Sequence, residues 1–344
     1  MTTLPALEFP FVEMPAYGKV QEVAEGLLWV RIPLPYVLDH VNVFLLQDHD
    51  GWAVIDTGTR TPEAIGVWEA LFAGPLSGMK ISRVVVTHFH PDHIGLAGWF
   101  HDLHGARVQT SLSTHALCRL LSQGRSEQTI QQNFDFFLRH GLSPETAELI
   151  SIHGREYPQY VAPLPSRFQR LVHGDTLTIG ARSFRVMTGD GHAPEQVMLH
   201  CADEGLFFAA DQVLERISPN ISVDATEPMS DPLGHFMRSL RQIEAEVPDN
   251  VLVLPGHHRP FKGLSARCRD LVLHHQERCD TILAACAKRP HSAADLVPLL
   301  FQRQLDPHQM WFAITETLAH ANRLIRRSQL TVIDQSDRSL LTLA

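Results

Sequence analysis

Three imidazoles and one carboxylate lie within a short stretch of this chain. They belong to His88, His90, Asp92 and His93. The stretch follows the apolar run at 84–86, and loops that follow strands are the usual carriers of site residues on a rigid scaffold. Neutral imidazole and carboxylate are ligands that zinc, manganese and iron accept. An H-x-H-x-D-H pattern rarely arises by chance, even in a chain with 21 histidines among 344 residues. The sequence therefore predicts a metal centre, and a two-metal hydrolytic centre is our first hypothesis.

Three more candidate residues follow strand-like apolar runs, and a fourth, Asp56, is considered with them. His192 follows the run at 184–191, Asp211 the run at 206–210 and His257 the run at 251–256. Asp56 stands in the sequence Ile55-Asp56-Thr57-Gly58. We interpret Asp56 as a carboxylate behind a ligand imidazole, which would orient the ring and raise its basicity, although a turn residue before Gly58 is the alternative.

The chemistry of two adjacent metal ions explains this number of donors. Two cations can share a hydroxide made from water, because bound metal lowers the pKa of water from about 15.7 toward about 7. A carboxylate such as Asp211 between the ions would fix their spacing and offset their charge. The hydroxide would attack a carbonyl carbon or a phosphorus atom, and the metals would stabilise the oxyanion that develops.

From about residue 20 to about 262 the chain resembles the metallo-β-lactamase-fold hydrolase superfamily. The motifs that carry the resemblance are Asp56, the 87–93 cluster, Gly191-His192, Asp211 and Pro255-Gly256-His257. The resemblance implies one metal held by His88, His90 and His192, a second held by Asp92, His93 and His257, and Asp211 as the bridge. It also implies that Asp92 and Asp211 are the catalytic carboxylates. His258 is the competitor of His257, which we favour because the family ligand directly follows Pro-Gly.

Two residues of this chain differ from those expected in other branches of the superfamily, and the differences reduce the number of possible substrate classes. A glutamate would be expected in place of His90 in the flavin-linked di-iron reductases of this fold, and the true β-lactamases lack a bridging aspartate equivalent to Asp211. The chain is most similar in pattern to the glyoxalase II-like and RNase-like branch with a small winged-helix-like C-terminal domain. Hydrolases of thioesters, lactones, esters and phosphodiesters remain.

The resemblance implies an α/β fold, a four-layer αββα sandwich with a helical insertion and a small, mainly helical C-terminal module. We predict a catalytic domain at 1–262, in which the insertion at 111–170 could act as a substrate lid, and a winged-helix-like module at 263–344. Pattern alone supports a mixed α/β domain. It predicts strands at 28–32 and 41–46, helices near 61–73, 92–103 and 264–287, and a hairpin turn at 201–205. It also predicts one buried helical face, formed by Cys268, Leu271, His275, Cys279, Ile282 and Cys286.

Substrate contacts are harder to assign from the sequence. The insertion contains an aromatic cluster at 130–138 and a proline-rich loop at 157–165. The cluster could serve the substrate, a satellite core or a homodimer contact. Arg155, Tyr157 and Tyr160 are weak candidates for binding a substrate carboxylate or carbonyl. His40 could also reach the site, with a solvated turn as the alternative.

Composition restricts the protein class. A net charge of −9 and a pI near 6.1 disfavour a nucleic-acid partner, which requires a basic surface. The sequence shows neither a signal peptide nor an 18-residue apolar run, so we expect a cytoplasmic protein with no membrane partner. Five cysteines without a C-x-x-C pair predict neither disulfides nor a thiolate zinc site.

The sequence thus predicts a dinuclear metal hydrolase that acts on a small-molecule acyl substrate, a thioester, lactone or ester. Two divalent ions are expected, with Zn²⁺ favoured and Mn²⁺ or Fe²⁺ as alternatives. A metal-dependent ribonuclease or phosphodiesterase is the first alternative function. The second is a mononuclear iron persulfide oxygenase, because such members of the fold keep equivalents of His88, His192 and Asp211. A non-catalytic binding protein is disfavoured because all seven ligands are present.

Overall fold

The computed structural model describes residues 7–344 and contains two large β-sheets. The first has seven strands in chain order, Gln21–Ala24 (β1), Leu27–Pro33 (β2), His40–Asp48 (β3), Gly51–Ile55 (β4), Ile81–Val85 (β5), Arg107–Thr110 (β6) and Gln169–Arg170 (β7). Strands β1 to β4 pair antiparallel, and β4 to β7 pair parallel. The parallel part places the ends of β4 and β5 side by side, which is where the first predicted site residues follow.

The second sheet has five strands. They are Thr176–Ile179 (β8), Arg182–Gly189 (β9), Gln196–Cys201 (β10), Leu206–Ala210 (β11) and Leu252–Pro255 (β12), in the order β12-β11-β10-β9-β8. Only β11 and β12 pair parallel. The turn at 202–205 joins β10 to β11, so the predicted hairpin is confirmed.

The two sheets share an apolar core. Side chains on alternate positions of a strand point to opposite faces, and one face of each sheet contributes to the shared layer. Phe208 of β11 lies edge-on to Phe44 of β3, with ring centroids 5.4 Å apart, and to Phe184 of β9 at 5.8 Å. The opposite face of the second sheet is buried as well, at Phe207 and Val253. The central strands of the second sheet are therefore buried on both faces.

Eleven helices are present among residues 7–344. They are Pro62–Ala73 (α1), Pro91–Ile94 (α2), Ala97–His104 (α3), Leu112–Leu121 (α4), Glu127–Arg139 (α5), Pro144–Ser151 (α6), Tyr157–Tyr160 (α7), Pro232–Glu246 (α8), Leu264–Cys286 (α9), Ala293–Leu300 (α10) and Pro307–Arg326 (α11). Trp68 of α1 and Phe100 of α3 meet edge-on over the outer face of the first sheet, with centroids 4.9 Å apart. A hairpin of Leu330–Asp334 (β13) and Ser339–Leu343 (β14) follows α11.

These elements confirm the predicted αββα sandwich with a helical C-terminal region. The helix predicted near 92–103 is divided into α2 and α3. The predicted apolar face of α9 is confirmed, because all six of its residues are at most 3% exposed. All five cysteines are buried free thiols. Within residues 7–344 we find no helix with the length and apolar character needed to cross a membrane.

The chain divides into two compact units. Among the described residues, unit 1 consists of residues 7–123, 156–219 and 240–268, and it contains both large sheets. Unit 2 consists of residues 124–155, 220–239 and 269–344. Within unit 2, α5 packs on α6 and α6 on α11, and Asn322 of α11 donates to the carbonyls of Pro228 and Ser230. Three separate segments of the chain thus build one unit.

Candidate metal centre

The predicted site residues follow five strand ends in unit 1. Asp56 follows β4, the 87–93 cluster follows β5, and His192 lies in the loop after β9. Asp211 directly follows β11, and His257 follows β12. The structure brings the side chains of all these residues together, although they are spread over 200 positions of the sequence.

The first group of donors consists of three histidines. His88 Nε2 lies 3.0 Å from His90 Nδ1 and 3.3 Å from His192 Nε2. The tautomer of His88 follows from its neighbour Thr87, whose hydroxyl donates to Asp56 Oδ2 at 2.8 Å and must therefore accept from His88 Nδ1 at 3.0 Å. His88 Nε2 thus carries a lone pair that points at two other ring nitrogens. Ligands of one metal ion approach each other at such distances.

The second group consists of Asp92, His93 and His257. His93 donates from Nδ1 to Asp56 Oδ2 at 2.8 Å, and His257 donates from Nδ1 to the carbonyl of His40 at 2.7 Å. Both rings therefore turn Nε2 toward the carboxylate of Asp92, at 3.4 Å and 3.3 Å. This group would offer two imidazoles and one carboxylate to a second cation, whose binding would displace the protons on Nε2.

Asp211 lies between the two groups. Its Oδ2 is 3.3 Å from His257 Nε2, 3.4 Å from His93 Nε2 and 3.5 Å from His192 Nε2. One carboxylate oxygen therefore faces nitrogen atoms of both groups. This is the position that a carboxylate shared by two cations requires.

The donor atoms fit a metal centre by their own chemistry. His93 Nε2 and Asp211 Oδ1 are buried without a hydrogen-bond partner, and buried polar atoms are rarely left in that state. Only glycine fits at position 256 beside these donors, because a Cβ there would lie 2.2 Å from Asp211 Oδ1 and 2.9 Å from His93 Cε1. The glycine leaves room for the two side chains to converge. Convergence of donor atoms in a buried place is the arrangement that a bound cation requires.

The electrostatics of the apo side chains agree with this requirement. Burial alone lowers the pKa of His257, but the carboxylates of Asp211 and Asp92 outweigh burial and raise this pKa to about 10. Burial and the neighbouring His192 lower the pKa of His90 to about 3. Burial raises the pKa of Asp211, but the nearby imidazoles hold it well below its usual range. Carboxylates that stay ionised inside the protein attract positive charge, and bound metal ions would supply it.

Backbone strain is concentrated at this centre. Five described residues other than glycine have positive φ, and three of them, Asp56 (60°), Ala210 (47°) and His258 (64°), lie at or beside donor residues. Asp56 accepts from the Thr87 amide at 2.8 Å as well as from the Thr87 hydroxyl. Strained conformations persist where surrounding contacts determine them, and they are common at functional sites.

The four weak substrate candidates have different surroundings. His40 is 2% exposed and is held between Asp39, at 2.6 Å, and the amide of His258, at 3.0 Å. Tyr157 is also buried, and its hydroxyl donates to the Phe89 carbonyl at 2.5 Å. Tyr160 is partly exposed and lies edge-on to the ring of Tyr36. Arg155 is exposed and belongs to unit 2. Of the four, Tyr160 is the one that combines partial exposure with a place in unit 1.

Two residues that contact the residues of this centre were not assigned a role from the sequence. Thr87 links His88 to Asp56, and Asn42 binds the turn that carries His257. Asn42 stands in the apolar run of β3, between Val41 and Val43. A lone polar residue in a buried strand is a signal that could have singled it out. For Thr87, the position directly before the first ligand is the only available signal.

A third group of donors lies in unit 2. Donor atoms of His274, His275 and Glu316 lie within 4.8 Å of one another. Burial raises the pKa of Glu316 to about 7, against the opposing effect of the Arg278 guanidinium, which lies 3.2 Å from the carboxylate. His275 also contacts His320 at 3.1 Å. Because an arginine already accompanies the carboxylate, we interpret this group as a buried polar network of the helices.

Comparisons with known proteins agree with this geometry. Residues 36–257 match the family model described as the metallo-beta-lactamase superfamily, and residues 279–340 match the model of a metallo-beta-lactamase-like C-terminal domain. A solved beta-lactamase domain protein from Burkholderia ambifaria is 38% identical, covers 98% of both chains and superposes with a TM-score of 0.91. A metallo-beta-lactamase family protein from Thermus thermophilus is 30% identical, covers 94% of this chain and 100% of its own, and has a TM-score of 0.79.

Curated relatives are more distant. The protein named "Probable metallo-hydrolase YqjP" from Bacillus subtilis is 24% identical over 315 residues, which are 89% of this chain and 94% of that protein. An acyl-coenzyme A thioesterase from Bos taurus is 24% identical over 70% of this chain and 81% of its own length. A hydroxyacylglutathione hydrolase from Cereibacter sphaeroides is 23% identical over 64% of this chain and 66% of its own length.

Proposed function

Because this chain belongs to the metallo-β-lactamase superfamily and is a metallo-hydrolase, we propose that it hydrolyses a small thioester at a two-metal centre. Lactones and esters are the next substrate classes. The observation that carries the proposal is the convergence of seven donor side chains, among which His93 Nε2 and Asp211 Oδ1 are buried without a hydrogen-bond partner. In this proposal the first metal position is formed by His88, His90 and His192, the second by Asp92, His93 and His257, and Asp211 serves both.

The relatives support the thioester as the first choice. Two of the curated relatives are named as an acyl-coenzyme A thioesterase and a hydroxyacylglutathione hydrolase. An acyl group joined to a thiol is the common feature of both substrates. Hydrolysis at a carbonyl carbon also suits a site that would stabilise negative charge on the carbonyl oxygen.

The two metal ions would be divalent, and we expect Zn²⁺, with Mn²⁺ or Fe²⁺ as alternatives. When bound, they would lower the pKa of a water molecule and polarise the substrate carbonyl. Asp211, with a side chain 8% exposed, would offset their charge from within the protein. Asp92, with a side chain 18% exposed, is the more open of the two carboxylates and would accept the proton of the attacking water.

The test combines metal content with turnover. The full chain is purified, its metal content is measured by elemental analysis, and thiol release is followed with a panel of acyl thioesters. We expect two divalent ions per chain. Asp211→Ala should lower metal content and reduce turnover by at least about 100-fold, because a ligand contributes more than the outer residues whose loss costs 10- to 100-fold.

Cys118→Ser is the matched control. Cys118 is buried in α4 as a free thiol and is absent from the donor groups, so this variant should keep both metal content and turnover. Lactones, esters and RNA are tested in parallel. Full activity in Asp211→Ala would contradict the metal assignment. One iron per chain would favour the oxygenase, and cleavage of RNA without thioester turnover would favour the nuclease.

A further inference from the structure

Asn42 is a polar side chain in the middle of a buried apolar strand. It lies in β3 and is 1% exposed, while its neighbours Val41 and Val43 are fully buried. Burial of an amide is unfavourable unless its hydrogen bonds are made. Those bonds therefore indicate what the residue does in this protein.

Three hydrogen bonds of Asn42 reach the turn after β12, and a fourth reaches Trp29. Its Nδ2 donates to the carbonyls of Pro255 at 2.9 Å and His258 at 2.7 Å, and its backbone amide donates to Gly256 at 2.7 Å. Its Oδ1 accepts from Trp29 Nε1 at 2.9 Å. Because an indole nitrogen can only donate, this last bond fixes which end of the amide faces the turn.

The turn requires such support. His258 has φ 64°, a left-handed conformation that residues other than glycine rarely adopt. It persists where surrounding contacts determine it. Besides Asn42, His40 Nε2 accepts from the His258 amide at 3.0 Å, and Glu215 accepts from the Arg259 amide at 2.8 Å. Asn42 differs from these neighbours because it holds carbonyls on both sides of His257.

This bracketing holds the backbone on both sides of His257, and the ring itself is oriented by the carbonyl of His40. His257 Nδ1 donates to the His40 carbonyl, and its Nε2 lies 3.3 Å from both Asp92 Oδ2 and Asp211 Oδ2. None of the hydrogen bonds of Asn42 reaches His88, His90 or His192. We propose that Asn42 is a positioning residue for the second metal position, which it supports through the Pro255–His258 turn, and that it leaves the first position unaffected.

The proposal rests on the proposed two-metal function and predicts a selective effect. Asn42→Asp keeps the shape of the side chain and the acceptor for Trp29, but it places an oxygen in front of two carbonyls. Asn42→Ser removes the two donors without that repulsion and serves if the first variant does not fold. Val43→Ala, in the same strand but on the opposite face of the sheet from Asn42, removes buried apolar volume and is the control for a loss of stability alone.

The experiment titrates the metal-free full chain with Zn²⁺ against a chromophoric chelator and follows thioester turnover at each zinc concentration. For the Asn42 variants we expect the first equivalent to bind as in the unaltered chain and the second to bind 10- to 100-fold more weakly. Excess zinc should restore much of the activity. Val43→Ala should lower the melting temperature and retain the affinity for both equivalents.

Three results would contradict the inference. Wild-type affinity for the second equivalent in both Asn42 variants would overturn it and leave the proposed function intact. Equal weakening of both equivalents, or weakening in Val43→Ala as well, would indicate a structural role only. An unaltered chain that binds a single zinc would overturn the proposed two-metal function together with the inference.

Discussion

Hydrogen bonds on the outer side of the candidate ligand rings determine which nitrogen faces the proposed metal centre. In three of the histidines, Nδ1 donates outward and Nε2 is directed at the other donor atoms of the proposed centre. The outward partners are Thr87 for His88, Asp56 for His93 and the carbonyl of His40 for His257. These partners fix tautomer and ring direction at once. The reactivity of the donors thus depends on residues that hold no metal themselves.

At the residue scale, Gly256 offers a sharp test of the geometry. A methyl group at this position would lie 2.2 Å from Asp211 Oδ1, so Gly256→Ala must displace the carboxylate or the turn. Displacement of about 1 Å can reduce turnover by about 100-fold. We expect a loss of this size with less than two metal ions per chain, measured by elemental analysis and thioester turnover. Gly66→Ala in α1, where an added Cβ meets nothing within 4 Å and φ is not positive, is the control for glycine replacement. Unchanged metal content in Gly256→Ala would contradict the described packing.

The sequence allowed the seven donors to be predicted as a set but not their supports. Each donor follows an apolar run, and imidazole with carboxylate at such places indicates a metal site from residue types alone. Asn42 and Pro255 are 213 residues apart, and their local sequence gives no indication that β3 contacts the turn after β12. Hydrogen bonds between distant segments depend on how the sheets are assembled, which a single sequence does not state.

At the element scale, α2 and α3 are braced by the segment at 157–163. A Cβ at Gly95 would lie 2.6 Å from the Tyr160 carbonyl, and one at Gly98 would lie 2.1 Å from the Pro163 carbonyl. The two glycines therefore permit direct contact between backbones. Local periodicity predicted one helix near 92–103 and a loop at 157–165. Local periodicity could not predict the contact between the helix and the loop, because a glycine indicates a close backbone approach but not which segment approaches.

At the same scale, His153 in the loop after α6 should make the free energy of unfolding depend on pH. His153 stacks on Trp311 of α11, with ring centroids 3.9 Å apart. Burial, with the nearby His308 and Arg125, lowers its pKa from 6.5 to about 3. Below pH 6.5 the His153 imidazole therefore binds a proton in the unfolded chain but not in the folded chain. The stabilising contribution is present above pH 6.5 and is lost as the pH falls toward about 3.

His153→Phe should remove this part of the acid sensitivity, because a phenyl ring keeps the stack and takes up no proton. Between pH 6.5 and pH 5 the difference can reach about 2 kcal/mol of unfolding free energy. Urea unfolding of both proteins at pH 7.5 and pH 5.0, followed by circular dichroism, measures it. His49→Gln at an exposed turn is the control and should retain the full acid sensitivity. An equal loss of stability in His153→Phe and the unaltered chain would contradict this account.

At the scale of the whole molecule, unit 2 is assembled from three separated segments. The helices α5 and α6 at 124–155 and the segment at 220–239 join residues 269–344. The sequence suggested an insertion at 111–170 and a separate module from 263. Composition and periodicity describe each helix, but they do not say which helices share a core. Membership of a unit depends on contacts such as that of Arg139 with Asp334, 2.9 Å apart and nearly 200 positions separated in sequence.

Removal of the C-terminal segment tests this interdependence. A chain that ends at residue 268 keeps α5 and α6 but loses α11, on which α6 packs and on which His153 stacks. The apolar side chains that α11 covers would then face solvent, and such patches promote association. We expect the shortened chain to aggregate or to bind a hydrophobic dye strongly, measured by size-exclusion chromatography and dye fluorescence beside the full chain. A soluble, monomeric product with an unchanged melting temperature would mean that 124–155 and 220–239 fold without the third segment, and unit 2 would then not be one cooperative body.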